Sequence, residues 1–354
     1  MNARTRLYYL DNLRVVLIIL VIAHHVGQAY GPTGGYWPVQ EATRAAVLGP
    51  FFTVNRSFFM SLFFMISGYF MVGAYERSGP RDFVLGRLRR LGIPVLVFAV
   101  LMLLARIFLF GERIGSWLDV FNAGHLWYLE HLLLFSLVYA LWRGLRVNRR
   151  QEDLSRRPLP GWLAYLAFVL GVAVCSALVR IWSPIDRWFN LLGFFWVAFA
   201  DVPRDLGFFL VGVWAYRRGW FERFPARAGI GWLAAGLAAA AAWYAYGLGL
   251  LRVTIMDIAY PLWEILLCLG MCIGLTVVFR EGANFQGALG KWLAANQYSA
   301  YVWHPLLIVP LQMAALGISA TPLAKFALVT LVGVAVVFAW SHLLRLLRPV
   351  RAVL

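Results

Sequence analysis

Long blocks of apolar residues, separated by short polar segments, recur along the whole chain. Most blocks approach the roughly 20 residues that a helix needs to cross a bilayer. The pattern predicts ten membrane-spanning helices, at about 10–30, 51–73, 92–110, 125–142, 161–182, 203–217, 229–250, 258–279, 297–314 and 323–344. We therefore expect an all-α polytopic membrane protein.

The sixth predicted span has the weakest pattern, because charged residues between 201 and 205 interrupt it. The apolar segment 188–200 just before it is predicted to be an interfacial or re-entrant piece and not a further span. Splitting 188–217 into two spans would invert every later loop. It would also move the arginine cluster at 217–227 to the outer side, against the rule that basic residues collect in the cytoplasm.

The basic residues predict the orientation of the chain. Of its 32 Lys and Arg residues, 23 lie in six segments that share one side if the N-terminus is cytoplasmic. Loops rich in Arg and Lys are typical of the cytoplasmic side. An even number of spans then places both termini in the cytoplasm, and we expect a multi-pass protein of the plasma (inner) membrane.

Composition supports the same class of protein. The chain has 354 residues, of which 62% are hydrophobic and 14% charged, whereas soluble domains average about 45–50% and about 25%. We expect one membrane domain over residues 1–354, with no separate soluble domain. The net charge of +16 follows from topology, so the lipid bilayer is the expected partner and nucleic acid is not.

The cysteines and the first apolar block bear on metal binding, disulfides and processing. All three cysteines lie inside apolar segments without metal-ligand spacing, so neither a metal site nor a disulfide framework is expected. The first apolar block has no small-residue cleavage site after it, and we interpret it as a retained helix and not as a signal peptide.

Ionisable residues inside the predicted spans are the strongest candidates for function. Each costs about 2.5–3.5 kcal/mol near the bilayer centre on insertion scales, so such residues tend to face protein or water. The candidates are His24, His25, Glu130, His131 and Glu264, with His125 and His304 nearer to span ends.

Arg14 and His25 are predicted to share one face of the first helix. They are 11 residues apart, which in an α-helix is three turns plus about 20° and an axial distance of about 16 Å. His24 points about 100° away and is predicted to be a packing residue. Asp11 is positioned to pair with Arg14. The plainer alternative is that Arg14 anchors the helix and His25 makes a helix–helix hydrogen bond.

Five motifs then appear in order along the chain: LDNLRVVLIILVIAHH (10–25), LFFMISGYF (62–70), FVLGRLRRLGIP (83–94), HLWYL (125–129) and YSAYVWHPL (298–306). In this order the chain resembles the acyltransferase type 3 family of integral membrane O-acyltransferases. That family has an Arg or Lys separated by ten residues from a His, which Arg14 and His25 match.

The resemblance implies transfer of an acyl group, with acetyl expected, from cytoplasmic acyl-CoA to a hydroxyl of an extracytoplasmic or lipid-linked carbohydrate. Acyl-CoA is then a donor substrate, and no tightly bound cofactor is expected. The implied residues fall into three groups: His25 as general base, with Arg14 and Glu130; Arg87, Arg90, Ser67 and Tyr69 on the donor; and His125, Trp127, Tyr301 and His304 on the acceptor.

Each assignment has an alternative. Arg87 and Arg90 are also suited to lipid phosphates, and Trp127 with His125 to an interfacial aromatic belt. Pro305 must disturb its helix and leave carbonyls for His304 or water to satisfy. Outside the spans, Trp37 and Tyr36 could stack on sugar rings. For the whole protein the alternatives are a transporter that uses His25, Glu130 and Glu264, and a non-catalytic scaffold.

Overall fold

A computed structural model describes residues 6–32, 37–108, 124–145, 158–251 and 256–354. Tyr36 and most of the basic linker at 143–160 lie outside the described residues, as does the predicted end of the third span beyond 108. The chain divides into two compact units. Unit 1 comprises Met1–Phe63 and Glu222–Ala352, and unit 2 comprises Phe64–Phe221.

Most of the described residues are helical, and each predicted span overlaps an α-helix over most of its described length. In chain order the α-helices are α1 (Tyr8–Gly27), α2 (Leu48–Arg87), α3 (Ile93–Phe108), α4 (Trp127–Leu145), α5 (Trp162–Trp182), α6 (Val202–Arg218), α7 (Trp220–Arg223), α8 (Ala226–Gly247), α9 (Met256–Gly282), α10 (Ala288–Ala315), α11 (Pro322–Leu346) and α12 (Arg348–Val353). This confirms the all-α prediction.

Five helices among the described residues are long and apolar enough to cross a membrane. They are Tyr8–Gly27, Trp162–Trp182, Ala226–Gly247, Ala259–Gly282 and Pro322–Leu346. The membrane class of the protein follows from these segments, while the full count of ten spans and the cytoplasmic termini stay predictions.

Helix α2 is two helical segments joined at Gly79, whose φ of 76° and ψ of 172° leave the helical region. Pro80 follows and has no N–H to continue the hydrogen-bond ladder. After α2 the chain makes a π-helix over Leu88–Gly92 before α3 begins. The second predicted span, 51–73, ends before this break.

Residues 188–200 form a β-hairpin and not a helix. Strands β1 (Phe189–Leu191) and β2 (Phe195–Val197) pair antiparallel, and Leu192 and Gly193 between them both have positive φ. A short 3₁₀ turn, Phe199–Asp201, then leads into α6. The segment therefore forms no further helical span, while its predicted interfacial or re-entrant position stays a prediction.

The charges that weaken the sixth span are paired inside unit 2. Arg204 is buried, and its guanidinium lies 3.3 Å from a carboxylate oxygen of Asp201 and 3.3 Å from one of Asp205. Arg180 on α5 lies 3.9 Å from the Asp201 carboxylate. Buried charges are tolerated when they are paired, which explains how α6 carries three charged residues in or beside its first turn.

Candidate functional site

Helix α1 runs without interruption from Tyr8 to Gly27 and carries both Arg14 and His25. The helical register that was predicted for the two residues is therefore correct. Asp11 accepts a hydrogen bond from Arg6 Nε at 2.9 Å, and no ion pair joins it to Arg14 among the described residues. The predicted Asp11–Arg14 pair is wrong, because the Asp11 carboxylate pairs with Arg6 instead.

His24 packs among aromatic rings of α2. Its ring centroid lies 5.2 Å from that of Phe52 and 5.2 Å from that of Phe59. In the part of the chain that the structure describes, its Nδ1 has no hydrogen-bond partner. These contacts agree with the predicted packing role of His24.

His25 meets His304, which lies on α10 and 279 residues further along the chain. His25 Nδ1 lies 2.9 Å from the carbonyl oxygen of Val21 and 3.3 Å from His304 Nε2. A carbonyl only accepts, so His25 Nδ1 must carry the proton in the neutral ring. The lone pair of neutral His25 is therefore on Nε2, the nitrogen that a base would use.

The tautomer of His304 is set by the proline that follows it. His304 Nδ1 donates to the carbonyl of Tyr301 at 2.7 Å, so its Nε2 is the acceptor that faces His25. In an unbroken helix the Tyr301 carbonyl would accept the N–H of residue 305, but Pro305 has none. The sequence prediction that His304 satisfies a carbonyl freed by Pro305 is thus confirmed, and both His304 and Tyr301 are buried.

Gln312 and Trp37 complete the surroundings of His25. The buried Gln312 amide nitrogen donates to the carbonyls of His25 at 3.2 Å and Val26 at 2.9 Å, at the end of α1. Its amide oxygen accepts the indole N–H of Trp37 at 2.8 Å. The Trp37 ring centroid lies 5.4 Å from that of His25.

The loop that carries Trp37 is held by a buried ion pair. Lys325 of α11 is 5% exposed and lies 2.5 Å from the Glu41 carboxylate. The Glu41 backbone N–H also donates to the carbonyl of Ala29 at 2.9 Å. The loop is therefore tied to α11 and to the chain just after α1.

We expect Lys325→Met to lower the free energy of unfolding by about 2 kcal/mol, because it leaves the Glu41 carboxylate largely buried without its charge partner. The midpoint of thermal unfolding of the purified protein measures the change. The double variant Lys325→Met/Glu41→Leu removes both charges and should recover most of the loss. A single variant as stable as the wild type would contradict a structural role for the pair.

Glu130 and His131 in unit 2 hold the β-hairpin. The Glu130 carboxylate accepts the backbone N–H of Trp196 at 3.0 Å, and the Trp196 backbone also hydrogen-bonds the His131 ring. Both side chains are buried. The catalytic role predicted for Glu130 stays a prediction.

His125 and Trp127 lie at the start of α4. The His125 ring packs edge-to-face on Phe98 at 4.8 Å, and Trp127 packs edge-to-face on Trp188 at 5.6 Å and on His131 at 5.3 Å. The structure therefore brings Trp127 together with the chain just before the hairpin. The predicted contact of both residues with an acceptor stays a prediction.

The SGY motif of α2 packs inside unit 2. Ser67 Oγ and the Tyr128 hydroxyl are 2.7 Å apart. Tyr69 is buried and stacks on Phe221, with ring centroids 4.6 Å apart. A Cβ added to Gly68 would overlap the backbone carbonyl of Phe209 on α6. Gly68 therefore permits close approach of two helices, a role that sequence reasoning missed.

Arg87 and Arg90 flank the junction between α2 and the π-helix. Arg87 is the last residue of α2 and lies over the Phe83 ring at 5.0 Å, while Arg90 is exposed within the π turn. The predicted contact of both arginines with the acyl donor stays a prediction. Pro94, four residues after Arg90, removes the N–H that would continue an α-helical ladder.

Sequence reasoning also missed Asn12, which ties α1 to the segment between α9 and α10. Its amide nitrogen donates to the carbonyls of Ala283 at 2.7 Å and Phe285 at 2.9 Å, and its amide oxygen accepts from Gln286 at 2.8 Å. The available signal was an amide one turn inside an apolar helix. Gln312, two residues after Pro310 in the apolar second half of α10, carried the same signal.

Long apolar helices, with the buried His304 imidazole 3.3 Å from the partly buried imidazole of His25, define an integral membrane protein with a polar site within its helices. Residues 7–344 match the family model Acyl_transf_3, described as an acyltransferase domain. The chain therefore belongs to this family and is a membrane acyltransferase.

Curated relatives share part of the chain. Glucans biosynthesis protein C of Salmonella heidelberg (strain SL476) is 30% identical over 188 residues, which is 48% of this chain and 48% of that protein. The proteins of the same name from Salmonella typhi and Salmonella schwarzengrund (strain CVM19633) are 30% and 29% identical over the same length. The matches thus span about half the length of these relatives. No solved structure matches the chain.

Proposed function

We propose that this protein transfers an acyl group, acetyl in the simplest case, from acyl-CoA to a hydroxyl of an extracytoplasmic or lipid-linked carbohydrate, with His25 as the general base. The observation that carries the proposal is a set of hydrogen bonds that fixes the tautomers of both histidines. His304 Nδ1 donates to the Tyr301 carbonyl, and His25 Nδ1 donates to the Val21 carbonyl with His304 Nε2 beside it, which leaves the lone pair of neutral His25 on Nε2. The family membership supports the reaction class.

The chemistry needs one proton acceptor that later becomes a donor. His25 Nε2 takes the hydroxyl proton as the oxygen attacks the thioester carbonyl carbon. The tetrahedral intermediate then collapses and the carbon–sulfur bond breaks. The leaving CoA sulfur accepts that proton from His25. Imidazole suits both steps because it titrates near neutral pH.

His304 then has a supporting role. While His25 is protonated, its Nδ1–H faces both the Val21 carbonyl and the lone pair on His304 Nε2. These two neutral acceptors stabilise the imidazolium, as the Asp carboxylate does in a Ser-His-Asp triad. Because His304 is fully buried, its ring orientation is held by packing as well as by the Tyr301 carbonyl.

The acceptor class rests on the relatives. Proteins named for glucans biosynthesis match about half of this chain, and a glucan offers many equivalent hydroxyls. We propose a carbohydrate or glycolipid acceptor on this basis. A succinyl donor is the main alternative to acetyl.

We assign Arg87 and Arg90 to the phosphates of CoA, because guanidinium groups bind phosphate in bidentate geometry. Arg87 ends α2 and Arg90 lies three residues further on in the π-helix, in a segment that the predicted topology places in the cytoplasm. Arg90→Ala should raise KM for acetyl-CoA about five- to tenfold with little change in kcat. Initial rates of acetyl-CoA consumption by reconstituted protein measure this, with the exposed Arg81→Ala as the matched control. Equal KM values in both variants and the wild type would contradict the assignment.

Mass spectrometry of envelope carbohydrates from cells with and without the gene tests the function as a whole. The proposal predicts one carbohydrate species that is heavier by the mass of an acyl group only when the gene is present. Identical carbohydrate masses, together with uptake of labelled solute into vesicles that contain no acyl-CoA, would instead support a transporter.

A further inference from the structure

The indole of Trp37 lies beside His25 in an orientation that a membrane-belt tryptophan does not need. Belt tryptophans keep a polar edge at the water-facing headgroup level. Here the indole N–H is turned inward to the buried amide of Gln312 at 2.8 Å, and the ring leans on His25 with centroids 5.4 Å apart. Trp37 remains partly exposed.

The orientation of Trp37 is determined by its partners. The Gln312 amide nitrogen faces two carbonyls that only accept, those of His25 and Val26, so its oxygen must face Trp37. The same carbonyls lie in the last turn of α1, where they also accept the backbone N–H groups of Gln28 and Ala29 at 3.3 Å. One buried side chain thus links the position of Trp37 to the helix end that carries the base.

A second, separate contact holds the loop of Trp37. Glu41, four residues later, forms the buried ion pair with Lys325, and Ala45 donates its N–H to the carbonyl of Tyr30 at 2.8 Å. An aromatic ring held rigidly beside a base can present an apolar face to a flat, partly apolar substrate at little cost in conformational entropy.

We propose that Trp37 is an acceptor-binding residue that stacks on a sugar ring, and that Gln312 is the positioning residue that orients it beside His25. The inference rests on the proposed function. It names the part of the acceptor that the site recognises, which is a pyranose ring next to the reacting hydroxyl. Sugar rings carry faces of C–H groups that pack on aromatic rings, whereas a short alcohol has no such face.

The test compares two acceptors in proteoliposomes that contain the full chain and radiolabelled acetyl-CoA. One acceptor is a β-linked hexasaccharide of glucose, and the other is glycerol, which has hydroxyls but no ring. For Trp37→Ala we expect KM for the hexasaccharide to rise about tenfold, which is the loss of one aromatic contact. Transfer to glycerol, or hydrolysis where water is the acceptor, should change less than about twofold.

Two further variants separate binding from structure. Trp37→Phe keeps a ring and should restore most of the affinity for the hexasaccharide. Gln312→Met removes the amide, and combined with Trp37→Ala it should raise KM no further than Trp37→Ala alone, because both act through the same ring. Trp340→Ala, an exposed tryptophan on α11, is the matched control and should leave both acceptors unaffected.

Three results would overturn the inference. Equal losses with the hexasaccharide and with glycerol would mean that Trp37 only supports His25. An unchanged KM in Trp37→Ala would mean that the ring does not touch the acceptor. Wild-type protein that labels neither acceptor while it still hydrolyses acetyl-CoA would overturn the proposed carbohydrate acceptor, and the inference with it.

Discussion

The His25→Ala protein is expected to transfer acetyl groups about 10²–10⁴-fold more slowly than the wild type, the usual contribution of a positioned general base. The variant removes the imidazole whose Nε2 carries the proposed basic lone pair and whose ring lies 5.4 Å from that of Trp37. Its backbone hydrogen bonds are untouched, so the protein should still insert and fold. Transfer of labelled acetyl in reconstituted vesicles measures the rate.

His24 provides the matched control, because it is the same residue type one position earlier. Its ring packs among Phe51, Phe52 and Phe59, and its buried Nδ1 has no partner in the described structure. His24→Leu should therefore keep the transfer rate and equal or exceed the wild type in thermal stability. If His24→Leu lost activity while His25→Ala kept it, the base would have been assigned to the wrong histidine.

Gly212→Leu is expected to destabilise the protein by more than about 3 kcal/mol, at the severe end of overpacking. Even a Cβ at Gly212 would overlap the carbonyl of Met65 and lie 2.9 Å from the backbone nitrogen of Tyr69. Backbone cannot move aside as a flexible side chain can, so α2 and α6 must separate. The yield of monodisperse protein and the unfolding temperature in detergent report the effect.

Gly171→Ala on α5 is the control for adding a side chain at a helical glycine that has no close neighbour. Nothing lies within 4 Å of a Cβ placed there, and alanine in a helix interior is favoured over glycine by up to about 1 kcal/mol. This variant should be as stable as the wild type or more stable. A stable Gly212→Leu protein would mean that α2 and α6 do not approach as closely as the structure places them.

Sequence patterns predicted the helices well because membrane helices are long and satisfy their backbone hydrogen bonds internally. The shared face of Arg14 and His25 also followed from helical geometry alone. So did the need for a partner at the Tyr301 carbonyl, since Pro305 supplies no N–H. These are local properties, readable within a few turns of one helix.

The contacts across the fold were not readable in this way. His304 reaches His25 from 279 residues away, and nothing in either segment names its partner. The Asp11–Arg14 pair failed because the Asp11 carboxylate pairs with Arg6, and the sequence offers both arginines within reach of it. The π turn over Leu88–Gly92 was not predicted, because it has no distinct hydrophobic pattern.

The most direct test of acyl transfer to carbohydrate follows a ¹³C-labelled acetyl group from acetyl-CoA in vesicles that contain the purified chain and a gluco-oligosaccharide. Mass spectrometry should find the oligosaccharide heavier by one labelled acetyl group with the wild type, and not with His25→Ala. Label that is recovered only in acetyl-CoA and free acetate, with an oligosaccharide of unchanged mass, would contradict acyl transfer to carbohydrate.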